Sequence, residues 1–139
     1  MLKNRIIDLL PVDIYLLDII EDLSSDRLKI VIDSSKPIKI STTAKIAKLI
    51  RNSSLLDEYY SDGIRLEVTS PSIYDPLIKP FQYKKNIGRK INIKKISEDK
   101  TLLFNIDKVD SDGFHSLSDN NEIYIPFKDI ELAKIIVEI

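Results

Sequence analysis

The spacing of apolar and polar residues switches between a helical and a strand period several times along the chain, and each switch marks an element. Ile6, Ile7, Leu9 and Leu10 fall on one broad face of the segment Lys3 to Leu10. Pro11 disfavours helical geometry at the residue before it, so the pattern predicts one short helix that stops at Leu10. Ile14 to Asp22 and Arg27 to Asp33 follow as strands. In the second, Leu28, Ile30 and Ile32 alternate with Arg27, Lys29, Val31 and Asp33, the period of a strand with one face in a core. The short polar connection Leu23-Ser24-Ser25-Asp26 makes the two an antiparallel hairpin. After a loop containing Pro37, Ser41 is the expected N-cap of an amphipathic helix running to about Leu56, with Ile46, Leu49 and Ile50 inward and Lys45, Lys48 and Arg51 outward. The turn Asp62-Gly63 leads into a third strand on Ile64, Leu66 and Val68. A helix between the second and third strands implies a crossover, so these two are expected to be parallel. The first part therefore reads α-β-β-α-β, a small sheet backed by two helices.

Pro71, Pro76 and Pro80 then interrupt the chain, because none has an amide donor and each restricts its neighbour. Past them, Phe81 to Ile87 is expected to form a turn or two of helix ending at Gly88. From Arg89 the period returns to two, with Ile91 and Ile93 facing one way and Lys90, Asn92 and Lys94 the other. Further short strands are predicted over Thr101 to Val109 (Leu102, Phe104 and Ile106 on one face), Phe114 to Leu117, Glu122 to Ile125 and Ala133 to Ile139. One helical turn at Pro126 to Ile130 precedes the last of them. So many short strands in so few residues are most economically closed into a small curled barrel. The organisation expected is α+β in two domains, an α/β domain at 1–77 and a β-barrel domain at 78–139.

Composition narrows the chemistry. At 139 residues and 43% hydrophobic the chain can bury a real core, and the absence of cysteine excludes disulfides and thiolate chemistry. Lys3, Arg5 and Asp8 interrupt the first ten residues, so no secretory signal is expected and a cytoplasmic location is the default. His115 is the sole histidine, which leaves no ordinary nucleophile and base pair. Asp110-Ser111-Asp112-Gly113 lacks the spacing of a calcium loop and reads as a turn. With three glycines, all at turns or strand starts, no glycine-rich phosphate loop can be built. Neither catalysis nor a cofactor is expected.

Charge supplies the positive signal. Residues 1–78 carry 10 Lys/Arg and 12 Asp/Glu, residues 79–95 carry 7 and none, and residues 96–139 carry 4 and 10. A basic segment inside an acidic protein attracts polyanions whatever the net charge. Lys84, Lys85, Arg89, Lys90, Lys94 and Lys95 are the candidate RNA-binding residues, close enough in sequence for several phosphate contacts. Phe81 and Tyr83 stand beside them, either as stacking rings or as buried junction residues. The alternative for the lysines is a solvated outer face on a protein-only, peptide-binding adaptor.

The residues that end the first domain also carry a family resemblance. Leu66 to Leu77, L-E-V-T-S-P-S-I-Y-D-P-L, resembles the junction signature of the ribosome maturation factor RimP family, in which L-E-V-S-S-P-G runs into L-D-R-P-L. Phe81 to Lys90, F-Q-Y-K-K-N-I-G-R-K, and Ile125 to Lys134, I-P-F-K-D-I-E-L-A-K, are similar to the opening and closing motifs of that family's second domain. Ser72, Tyr74 and Asp75 depart from its usual Gly, Asp and Arg. If that glycine serves a positive φ, Ser72 implies either strain or an altered turn. The resemblance implies an α/β domain followed by an SH3-like or Sm-like β-barrel. It further implies a non-enzymatic, cytoplasmic factor, expected to be monomeric, that binds 16S rRNA and a small-subunit ribosomal protein during late assembly of the small (30S) subunit.

Overall fold

The computed structural model describes residues 1–137, which form a mixed α+β structure. The chain divides into two compact units, Met1–Pro71 and Ser72–Ile139.

The first unit begins with helix α1 (Leu2–Leu9), which ends where Leu10 turns extended ahead of Pro11. Strand β1 (Tyr15–Asp22) pairs antiparallel with β2 (Arg27–Asp33), and β2 pairs parallel with β3 (Arg65–Thr69), giving the sheet order β1-β2-β3. Both relations match the expectation from the hairpin turn and the helical crossover. The ladder slips between Leu16 and Asp18, a bulge on an edge strand.

The crossover is not one helix. Helix α2 (Ile40–Arg51) starts one residue before Ser41, and Lys39 holds the N-cap position without a side-chain hydrogen bond, so Ser41 is not the cap. The Ser53 hydroxyl then donates to the Ile50 carbonyl at 2.6 Å and accepts from the Leu55 amide at 3.3 Å. Ser54 takes a left-handed φ of 62°, and a separate helix α3 (Leu55–Tyr59) begins. A serine competing locally for backbone groups in this way ends helices. Ile6, Leu28, Ile30, Ile32, Ile46, Ile50 and Leu55 form the core of this unit. Each such side chain contributes about 1.5–3 kcal/mol on burial. Tyr60 donates from its hydroxyl to Glu21, and Arg5 pairs with Glu58.

The second unit opens with a turn at Ser72 to Asp75 and helix α4 (Pro80–Lys84). The buried Gln82 accepts hydrogen bonds at its side-chain oxygen from the amides of Ile78 (2.7 Å) and Lys79 (2.9 Å), which fixes how the chain enters α4. Six strands follow: β4 (Lys90–Lys95), β5 (Thr101–Asn105), β6 (Lys108–Val109), β7 (Gly113–Ser118), β8 (Asn121–Pro126) and β9 (Ile130–Ile135), with a 3-10 turn at Phe127–Asp129 before the last. Residues 138 and 139 of the expected final strand lie outside the described residues. The strands make two antiparallel three-stranded sheets, in the orders β5-β4-β9 and β6-β7-β8, and the ladders do not close into a continuous barrel among the described residues.

The single strand expected over Thr101 to Val109 is broken in two. Ile106 leaves the β4 ladder, accepts from the Gly88 amide at 2.8 Å and donates to the Arg89 carbonyl at 3.0 Å, while the Asp107 amide turns to the His115 carbonyl. Phe104 and Ile106 still meet the core, but Leu102, expected on the same face, stands 42% exposed. Tyr83, Ile91, Ile93, Phe114, Ile125 and Ala133 complete that core.

Candidate nucleic-acid interface

The basic segment is displayed on two elements joined by a fixed corner. Lys84 closes α4 and Lys85 follows it, both exposed. The chain then turns at Gly88, whose φ of 93° is the left-handed conformation that glycine tolerates without strain. Hydrogen bonds from the Gly88 amide to Ile106, from the Ile106 amide to Arg89, and from the Ile136 amide to Lys90 (2.9 Å) hold Gly88–Lys90 in place on both sides. Arg89 and Lys90 are therefore exposed side chains on pinned backbone. Together with Gly88, Asn105 and Ile136 they line an open concavity of about 310 Å³.

Along β4 the alternation places Ile91 and Ile93 in the core, fully buried, and turns Lys90, Asn92 and Lys94 outward. Lys94 forms an ion pair with Glu131 of β9, so its charge is partly answered within the protein. Lys95 is half-buried at the point where the β4–β9 register shifts. The structure thus brings Arg89, Lys90 and Lys94 onto one strand and its corner, and sets Lys84 at the end of the preceding helix with Lys85 just after it. Sequence spacing alone misses Lys134, which the β4–β9 ladder places directly opposite Asn92. No local signal could have found it, because strand pairing, not proximity in the chain, brings it there.

The two aromatic residues beside the lysines differ in burial. Tyr83 is 3% exposed, its ring lying 5.6 Å from Phe114 and 4.6 Å from Phe127 by centroid, and burial pushes its hydroxyl pKa up to about 12. Phe81 is half-buried.

The sheet β6-β7-β8 carries a different chemistry. The sole histidine, His115, has Nδ1 2.6 Å from Glu122 Oε1 and Nε2 3.7 Å from Asp110 Oδ2. The Tyr124 hydroxyl donates to Asp110 Oδ1 at 2.8 Å, and its ring lies 4.8 Å from the imidazole. Asp110 also accepts from the amides of Asp112 and Gly113. The Asp112 amide, the Tyr124 hydroxyl, the Gly113 amide and His115 together hold the Asp110 carboxyl below its ordinary range. These contacts tie a hairpin to its turn. Among the described residues no group of three or more His, Cys, Asp or Glu side chains is placed to hold a metal ion, and no helix is long and apolar enough to cross a membrane.

Comparison with known proteins identifies a relative over most of this chain. It is similar to the ribosome maturation factor RimP of Christiangramia forsetii, with 30% identity over 128 residues that span 81% of this chain and 79% of the relative. No family model matches the chain.

Proposed function

Because this chain belongs to the ribosome maturation factor RimP family, we propose that it assists late assembly of the small ribosomal subunit without catalysing a reaction. In this reading Lys84, Lys85, Arg89, Lys90, Lys94 and Lys95 attach to rRNA phosphate, and the acidic surface of β6-β7-β8 meets a basic ribosomal protein. In the same reading the chain is a monomeric cytoplasmic protein whose first domain is α/β and whose second is related to SH3-like or Sm-like β-barrels. The observation that carries the reading is the rigid corner Gly88–Lys90, which presents exposed cations in an otherwise acidic chain. Attachment through cations is reversible and salt-dependent, as suits a factor that must leave a finished particle.

The test is co-sedimentation with small subunits at moderate salt. Replacing Lys84, Lys85 and Arg89 together by Glu abolishes it while leaving the melting temperature nearly unchanged, since all three are exposed. Undiminished co-sedimentation of that variant removes the basic segment from the interface. A second reading, a protein-only adaptor, draws on Leu103 and Leu132, which stand 57% and 41% exposed beside the β4 lysines. Partner binding that is indifferent to salt and free of RNA favours it.

A further inference from the structure

We propose that the outer face of the β5-β4-β9 sheet takes the sugar–phosphate backbone of double-helical RNA and does not select unpaired bases. This rests on the reading that the basic segment meets RNA, and it specifies the form of that RNA.

Residues directly paired across an antiparallel ladder project from the same face. Lys90, Asn92 and Lys94 therefore share their face with Asn105, Leu103 and Thr101 of β5 and with Lys134 and Leu132 of β9. At a rise of about 3.4 Å per residue, Lys90 and Lys94 stand about 14 Å apart along the strand, with Lys134 opposite the midpoint between them. The face thus carries a triangle of ammonium groups, of which that of Lys94 is shared with Glu131, and the side-chain amides of Asn92 and of Asn105, the latter donating to the Leu117 carbonyl at 3.4 Å. Ammonium groups answer phosphate, and side-chain amides hydrogen-bond phosphate or ribose oxygen, neither of which reports base identity.

Selection of unpaired bases calls for exposed planar groups on which bases stack in series. The rings of this unit that pack in its core are turned away from the face. Tyr83 lies between Phe114 and Phe127, and Phe104 packs edge-on against Phe114 at 6.4 Å. Phe104 pairs with the buried Ile91 and so belongs to the opposite side of the sheet. Where stacking rings would flank the row of cations, the face carries Leu103 and Leu132, whose aliphatic chains have no π surface. The planar cation Arg89 stands at the end of the strand, one group where a series is needed. A double helix, with its bases already stacked and phosphates outermost, matches this chemistry.

The experiment is fluorescence anisotropy of the full chain with a labelled RNA hairpin duplex and with an unstructured oligouridine of equal nucleotide count, at the same moderate salt. The duplex is expected to bind at least about tenfold more tightly, and Lys134→Glu to weaken duplex binding about fivefold or more at an unchanged melting temperature. Oligouridine binding equal to or tighter than duplex binding overturns the inference while leaving the basic-segment reading intact. Duplex binding unaffected by Lys134→Glu also overturns it, because the contact then lies off this face. If neither RNA binds, the inference fails, and the Lys84/Lys85/Arg89 co-sedimentation result decides whether the underlying reading fails with it.

Discussion

The Asp75 carboxylate accepts a hydrogen bond from the Ser72 backbone amide at 2.7 Å, while the Ser72 carbonyl accepts one from the Asp75 amide at 3.0 Å. The Ser72 hydroxyl in turn accepts from the amide of Tyr74 at 3.2 Å. These are two of the positions at which the chain departs from the RimP junction signature, and the contacts account for them jointly. Ser72 is not among the residues with positive φ, so the altered turn, not strain, is the consequence of losing glycine. The turn is then closed by a carboxylate where the signature has an arginine.

Asp75→Ala removes that closure and is expected to cost about 0.5–1.5 kcal/mol, the range of one net hydrogen bond. In a unit of this size the melting temperature should fall about 4–8 °C per kcal/mol. Asp75→Asn, which retains an acceptor oxygen, should lose less. Equal melting temperatures for the parent and Asp75→Ala would show that the turn holds without its carboxylate.

Gly113 stands where a side chain has no room. A Cβ there would lie 2.4 Å from the Ile125 carbonyl oxygen and 2.8 Å from two atoms at the tip of the Tyr124 ring. The backbone oxygen is tied into the β7–β8 ladder and cannot swing aside as a flexible side chain would. Gly113→Ala should destabilise the fold by about 1–3 kcal/mol, the ordinary cost of forcing extra volume into packed structure. A urea midpoint matching that of the parent would contradict this close approach.

Acid should loosen the β6-β7-β8 sheet. The folded Asp110 carboxyl titrates below its ordinary value of 3.8, so its contribution to stability is complete above that value and disappears as the pH falls through the lower folded one. Melting temperatures measured from neutrality down through pH 4 and below should decline less steeply for Asp110→Asn than for the parent. Parallel declines would mean that Asp110 is not responsible.

Glu131 competes with any polyanion for Lys94. Glu131→Gln should therefore strengthen duplex binding, and Lys94→Ala should weaken it less than Arg89→Ala, since Arg89 pairs with no acidic group among the described residues. Each lost phosphate contact should lower the slope of log affinity against log salt by about 1. The reverse ranking of Lys94 and Arg89 would place the contact farther along β4 than the corner.

The parts legible in the sequence were those governed by neighbours in the chain. Alternation at Leu28, Ile30 and Ile32 and at Ile91 and Ile93 located buried strand faces, and Pro11 located a helix end, whereas the helix expected to run to Gly88 stops at Lys84. The charge of residues 79–95 was equally plain. The parts that were not legible depend on partners distant in the chain or on competing local bonds. Ser53 divides the expected helix because its hydroxyl finds the Ile50 carbonyl, a choice that helical periodicity does not reveal. Ile106 ends β5 because the Gly88 corner claims its backbone, and only the folded ladder supplies that claim. For the same reason Lys134 could not be placed beside Asn92, nor Glu131 beside Lys94.

The parallel pairing of β2 with β3 carries a consequence for how the first unit assembles. β2 meets β1 across the short turn Leu23–Asp26 but meets β3 only after α2 and α3 have been traversed. Loop-closure entropy rises with the length of chain enclosed, so the hairpin can close cheaply while β3 must wait for a longer excursion to collapse. During synthesis the β1–β2 ribbon emerges first, and the edge of β2 stays open until Arg65–Thr69 arrives to cover it. In that interval the edge of β2 is unpaired, which leaves the nascent chain open to mispairing there.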